Sequence, residues 1–310
     1  MLTAAGVLLL RSESGVEHPA RPATTLAAPD PAEPALITQL DRWHGYGERL
    51  ARRRERLDLR FGEDGPRGGM VFDVRTGRVL WARSPRTERP IASLTKMMTA
   101  ILVADTVPER SKVRITREAL DYEGSGVGMF RRGQKIDVET MLYGLLLPSG
   151  NDAAIALAQR VAGTQERFVN MMNRKARELD LSCTRFSSPS GILDAGNHSC
   201  PRDLARLASE VLKRPRLARI VATEDTSRML PPGRKGKRRK LWLSNNNTLM
   251  RRDYEGVTGV KTGYTNAAGS CLVATVRRGG RYLGIVLLKS PDTGEQGARL
   301  VDAAFRRVLR

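Results

Sequence analysis

Ser93 and Lys96 stand three residues apart inside the run Ile91-Ala92-Ser93-Leu94-Thr95-Lys96-Met97-Met98-Thr99-Ala100. On a helix this spacing places both side chains on one face, with Cβ atoms about 5–6 Å apart. The amine can then reach the hydroxyl. A serine hydroxyl is a poor nucleophile at neutral pH and needs a positioned base. Lysine can be that base only if burial or a neighbouring cation lowers its pKa enough to populate the neutral amine. The flanking Ile91, Ala92, Leu94, Met97, Met98, Ile101 and Leu102 would supply the burial. Taken alone, the pair fits equally a helix start with Ser93 as N-cap and Lys96 in water.

Two later motifs change that balance. Ser149-Gly150-Asn151 follows Pro148 on a short loop between two helix-compatible runs, residues 137–147 and 152–162, and Lys261-Thr262-Gly263 lies in the β-rich stretch 257–264. Ser-x-x-Lys, Ser-x-Asn and Lys-Thr-Gly in this order, at a helix start, a loop and a strand, form the constellation of serine acyl-transfer sites. Ser244-Asn245-Asn246 also fits Ser-x-Asn. It lies on the approach to Lys261 rather than between helices and is set aside.

The elements that must hold these residues can be read from the pattern. Residues 70–74 and 79–82 around Arg75-Thr76-Gly77 read as a β-hairpin. Helices are expected over 93–104, 137–147, 152–162, 166–179, 201–212 and 296–309. The runs 271–276 and 282–288, joined by Arg277-Arg278-Gly279-Gly280-Arg281, form a second hairpin. A hairpin, then a helical block, then more strands predicts an α+β domain over residues 68–310, with an antiparallel sheet flanked by helices.

The 310 residues have an apolar fraction of 40% and a formal net charge of +20, mostly from Arg. That charge implies attraction to anionic polymers or membrane surfaces and says nothing about fold. Aromatics are sparse and no helix-turn-helix, zinc or RNA-binding signature is present, so nucleic acid is not an expected partner. Residues 1–10 are nearly all apolar. They are too short to span a membrane and read as the core of an export signal without its basic start, or as an ordinary disordered terminus. A Pro/Ala-rich linker runs to residue 34. A basic helical arm is expected over 35–67, either lying on an anionic surface or solvated. Cys183, Cys200 and Cys271 have no metal-ligand spacing. Cys183 and Cys200 could pair in an oxidising compartment, but small buried thiols are the preferred reading. The cationic stretch 233–240 is read as a loop contacting anionic wall polymers, or as a solvated turn.

The wording around the motifs narrows the family. Ile91-Ala92-Ser93-Leu94-Thr95-Lys96, Leu147-Pro148-Ser149-Gly150-Asn151-Asp152-Ala153-Ala154 and Gly259-Val260-Lys261-Thr262-Gly263-Tyr264-Thr265 closely resemble the low-molecular-mass D-alanyl-D-alanine carboxypeptidases, which are penicillin-binding proteins. The resemblance implies a β-lactamase/transpeptidase-like fold, a peptidoglycan stem peptide as substrate, acylation by β-lactams, an extracytoplasmic location and no metal or organic cofactor. It implies Ser93 as nucleophile, Lys96 as base, Ser149 as proton relay, Asn151 as holder of the substrate carbonyl and Lys261 as a fixed positive charge. Thr262 would bind the terminal carboxylate. Gly263, Tyr264, Thr265 and Asn246 would line the substrate, with the amides of Ser93 and Tyr264 as oxyanion donors.

Two departures stand out. Ser190 in Ser188-Pro189-Ser190-Gly191 replaces a His of many relatives, and Asn246 replaces a cationic or Thr residue. The chain also stops soon after its last helix, so the extra β domain and C-terminal anchor of many relatives are not expected, and membrane attachment would come from the N-terminal side. The rival readings are a serine β-lactamase, with Glu178-Leu179-Asp180-Leu181-Ser182 as its water-activating loop, and an inactive cationic envelope-binding protein. The first is countered by reading Glu178 as a helix end with Leu179 and Leu181 in the core.

Overall fold

The computed structural model describes residues 50–232 and 236–309. The expected leader and linker, and the arm as far as residue 49, lie outside the described residues.

The chain opens with the predicted hairpin, β1 (Gly68–Asp73) and β2 (Val79–Arg83), then β3 (Arg89–Pro90), a tight 3-10 turn at Ala92–Thr95, and helix α1 (Lys96–Thr106). Small strands β4 (Lys112–Arg114) and β5 (Lys135–Asp137) precede α2 (Val138–Leu146), α3 (Asn151–Ala162) and α4 (Gln165–Glu178). After β6 (His198–Ser199) come α5 (Pro201–Leu212), α6 (Pro215–Val221) and the hairpin β7 (Asp225–Leu230) and β8 (Arg239–Ser244). The last four elements are β9 (Val257–Thr265), β10 (Gly269–Arg278), β11 (Arg281–Ser290) and α7 (Thr293–Val308). The main sheet runs β2-β1-β11-β10-β9, every pair antiparallel.

Both faces of this sheet are covered, which explains why β11 reads as a continuous apolar run instead of an alternating one. Val71, Leu283, Ile285 and Leu287 point to one side and pack with Leu300, Val301 and Phe305 of α7. Met70, Phe72, Val286 and Leu288 point to the other and join the helical block. At the centre of that block lies α1, whose residues from Lys96 to Val103 are all buried. A helix apolar all round belongs in a core, and this one carries Lys96 into it.

Three expectations need correction. Residues 50–67 are not a helical arm: they contain the 3-10 turn Arg53–Glu55, the rest of 50–61 runs along β2, and a turn at 62–65 leads into β1. Ala51 N donates to Val79 O at 2.9 Å and Leu57 N to Leu80 O at 2.9 Å, while Trp81 Nε1 donates to Leu59 O at 2.8 Å. An edge strand with open backbone groups and an apolar shelf outcompetes a helix interrupted by its own charge repulsion. Second, Arg239 and Lys240 belong to β8, so the cationic loop is shorter than 233–240.

Third, Cys183 and Cys200 form a disulfide, with Cα atoms 5.7 Å apart. The pairing of Arg185 with His198 brings the two ends of the intervening loop together, something no spacing rule discloses. The cross-link closes a loop with a sequence separation of 17, for which chain entropy gives about 3 kcal/mol. The double variant Cys183→Ser/Cys200→Ser should therefore unfold at lower denaturant by about that amount, and an unchanged midpoint would contradict the assignment.

Candidate active site

Ser93 sits in the 3-10 turn and Lys96 begins α1, one turn later on the same side. Lys96 Nζ lies 2.8 Å from Ser93 Oγ, 2.7 Å from Asn151 Oδ1 and 2.8 Å from the Ser190 carbonyl oxygen. Two of these three neighbours can only accept. A neutral amine has two N–H groups and one lone pair. In that form it would satisfy Asn151 Oδ1 and Ser190 O with its hydrogens and turn the lone pair on the Ser93 hydroxyl, the arrangement a base requires. The environment favours that neutral form: burial, then the nearby Lys261, hold the Lys96 pKa well below 10.5 against the opposing pull of Asp152.

Lys261, the fixed charge the resemblance implies, is held by burial at a pKa lowered to about 7. It is buried on β9 and donates to the Thr262 carbonyl at 2.9 Å.

Ser149 and Asn151 are set by the loop between α2 and α3. Ser149 has a left-handed backbone, φ 70°, a conformation costing about 1–3 kcal/mol for a non-glycine residue. Gly150 N donates to Gly144 O at 2.9 Å and Asn151 N to Ser125 O at 2.8 Å, so surrounding backbone imposes that geometry. Ser149 Oγ is buried and, among the described residues, has no hydrogen-bond partner, which leaves it ready for a ligand. Asn151 Nδ2 donates to Glu123 O. One of its two hydrogens is thus already used, and only the second is open to a substrate carbonyl.

The third wall is β9. An ideal Cβ on Gly263 would lie 2.9 Å from Ser93 N and 3.0 Å from Ile91 O. Any larger residue would push the strand away from the nucleophile's amide, so the glycine is a requirement of close approach. Thr262 is half-buried, and Tyr264 projects outward at 66% exposure. Thr265 differs from expectation: its hydroxyl donates to Asp194 Oδ1 at 2.7 Å and accepts from Ala268 N, a structural pairing that ties the strand end to the disulfide loop. Asn246 is exposed at the rim, where its side chain donates to Pro148 O at 3.2 Å and steadies the Ser149 loop. Its neighbours Asn245 and Asn247 are buried and bound to backbone.

Sequence reasoning missed the contributions made by backbone. Ser190 was singled out for a missing imidazole, yet the group in use is its carbonyl. The next residue, Gly191, has φ +78°, and a Cβ there would meet Ala92 O at 2.1 Å. Asp152 was quoted only as motif context. Its carboxylate accepts from Val127 N at 2.9 Å and Gly128 N at 3.0 Å, pinning the segment that supplies Glu123 O and Ser125 O. The position directly after Ser-x-Asn was the one available signal. Glu178 ends α4 and pairs with Lys175 at 3.1 Å, and Leu181 is buried. This is the helix-end reading, and no water-activating glutamate loop forms there.

Comparison with known proteins agrees with this geometry. A family model described as D-alanyl-D-alanine carboxypeptidase matches residues 67–292. The chain is 34% identical over 248 residues to the D-alanyl-D-alanine carboxypeptidase DacF of Bacillus subtilis, covering 77% of this chain and 62% of that protein. To a D-alanyl-D-alanine carboxypeptidase of Streptomyces sp. strain K15 it is 34% identical over 253 residues, covering 77% and 86%. A D-alanyl-D-alanine endopeptidase of Escherichia coli is 36% identical over 209 residues, covering 66% and 64%. The chain thus spans less than two thirds of two of these relatives. The crystal structure of the Streptomyces K15 DD-transpeptidase superposes with a TM-score of 0.75 at 31% identity, covering 80% of this chain and 100% of that one. With the motifs, the β-lactamase/transpeptidase-like fold and the sequence match in agreement, the chain belongs to the D-alanyl-D-alanine carboxypeptidase family of serine peptidases.

Proposed function

We propose that the protein is a serine D-Ala-D-Ala carboxypeptidase acting on peptidoglycan stem peptides, and that β-lactams acylate the same serine. The observation that carries this reading is the 2.8 Å contact between a buried Lys96 amine and Ser93 Oγ. Lys96 takes the hydroxyl proton as Ser93 Oγ attacks the carbonyl between the two D-alanines. The tetrahedral oxygen is met by backbone amides of Ser93 and Tyr264, donors worth on the order of 3 kcal/mol each when aimed at charge that develops only there. Ser149 relays the proton taken up by Lys96 to the departing amine, which returns Lys96 to its neutral form. D-Ala leaves and an ester to Ser93 remains, which water resolves with Lys96 again as base. Asn151 steadies both the amine and the substrate carbonyl.

The disulfide supports an extracytoplasmic, oxidising location, and the net charge of +20 supports a cell-envelope setting with an anionic partner, either wall polymer or membrane surface. The deciding experiment is product analysis on a pentapeptide ending in D-Ala-D-Ala, with and without an amine acceptor. Release of free D-Ala that depends on Ser93 is the expected result, and no release overturns the reading. Rapid repeated hydrolysis of a chromogenic cephalosporin would favour a β-lactamase instead. With Thr262 as the carboxylate ligand, Thr262→Ala should lower kcat/KM on the free-carboxylate peptide by about 10–100-fold and spare an amidated analogue. Equal losses on both would contradict that role.

A further inference from the structure

The hairpin β7–β8 has two unlike faces. Leu230, Leu241 and Leu243 point inward and are buried, and Arg228 stacks over the Tyr143 ring at 4.0 Å. On the opposite face stand Met229, 53% exposed, and Trp242, 69% exposed. Met229 pairs across the ladder with Lys240, two residues from Trp242, so the two apolar groups are diagonal neighbours about 7–8 Å apart. Lys240 Nζ sits over the indole at 4.0 Å. Lys237 and Arg238, both exposed, extend the same hairpin toward its tip. The hairpin's acidic residue, Asp225, and the adjoining Glu224 are at the opposite end, next to Ser244 and Asn245. None of these outward groups takes part in the site around Ser93.

We infer that this face of the hairpin docks on an anionic lipid surface, with Met229 and Trp242 entering the headgroup layer and Lys237, Arg238 and Lys240 facing its phosphates. The two halves of the patch select this partner together. An anionic wall polymer would match the cations but leave Met229 and Trp242 in water. A neutral glycan would stack on the indole but give the cations nothing to neutralise. An amphipathic indole beside lysine and arginine is the composition of a membrane–water interface, and basic residues add attraction to anionic headgroups that falls off within a Debye length. The inference goes beyond the peptidase reading and stands on the hairpin alone.

The test is co-sedimentation of the full chain with vesicles of phosphatidylcholine plus phosphatidylglycerol, and with vesicles of phosphatidylcholine alone, at low and high salt. Binding to the anionic vesicles only, weakened by salt, is expected. Trp242→Ser/Met229→Ser and Lys237→Glu/Arg238→Glu should each weaken it about tenfold. Every variant should keep wild-type labelling by fluorescent penicillin, which separates this outcome from failure of the peptidase reading and from misfolding. The difference in fluorescence between wild type and Trp242→Phe should shift to the blue on the same vesicles. Vesicle binding indifferent to these substitutions overturns the inference, as does their weakening retention on isolated cell walls while leaving vesicle binding intact.

Discussion

Lys96→Ala is expected to lower the rate of Ser93 acylation by a fluorescent penicillin by about 10³–10⁴-fold, the upper range for loss of a general base, with the fold retained. The size follows from the lack of a substitute. The other groups touching Lys96, Asn151 Oδ1 and Ser190 O, hold protons poorly, and among the described residues no histidine lines the site: His198 sits on β6 with its ring against the Cys183 carbonyl at 3.1 Å. The pH profile supplies a second readout. Because burial and Lys261 hold the Lys96 pKa well below 10.5, wild-type acylation should rise as pH climbs through that lowered value and level off long before a solvent-exposed lysine would titrate. The residual rate of Lys96→Ala should lose that rise. A variant within tenfold of wild type would remove Lys96 as the base.

Lys261→Met should abolish useful activity and at the same time stabilise the fold. Moving this amine's pKa from 10.5 to about 7 corresponds to about 5 kcal/mol of penalty on the charged form. The unfolded chain binds the proton up to about pH 10.5, whereas the native state has released it above about pH 7. The unfolded state therefore carries more protons between these values, and native stability from this residue rises with pH across the window. Below it the penalty is fully present. Methionine fills similar volume without an amine to dehydrate, so the variant should gain about 1–4 kcal/mol at pH 7, less whatever the Thr262 carbonyl loses with its donor. The gain should shrink toward pH 9. Thermal melts at the two pH values check this, and a lower Tm for the variant at pH 7 would contradict it.

Part of the candidate site was legible in the chain. Ser93, Lys96, Ser149, Asn151, Lys261 and Thr262 are side chains whose chemistry depends on residue type, and fixed residue types leave a trace in sequence. The second acceptor of Lys96 is the Ser190 carbonyl, and any residue has one. The same holds for Glu123 O and Ser125 O. The longer helices and the hairpins β1–β2 and β10–β11 were legible because periodicity follows burial, which is clear on α5 and on β11, whereas the short α6 and the strand pairs β4–β5 and β7–β8 were not anticipated. The segment 50–61 was misread because its arginine-rich pattern suits a helix surface, while its apolar partners, Leu80 and Trp81 among them, lie on a strand that local pattern cannot anticipate. The lowered pKa of Lys261 was hidden for a similar reason: the residue name specifies an ammonium, and only the packing around it decides how firmly the proton is held.

The main sheet has two outer strands, and the chain treats them in opposite ways. Along β2, residues 50–61 lie like a selvedge, taking up backbone groups and apolar surface that would otherwise invite another chain. Along β9, among the described residues, no further strand is added, so that margin is open to an extended segment laid against it. An unguarded margin is also where copies of a protein adhere to one another. The turn carrying Ser93 stands so near Gly263, with Ser93 N and Ile91 O about where a side chain would begin, that it crowds the approach of a second sheet to this margin. The closeness that aims the nucleophile therefore also works against self-assembly, and widening the slot to admit bulkier substrates would loosen both.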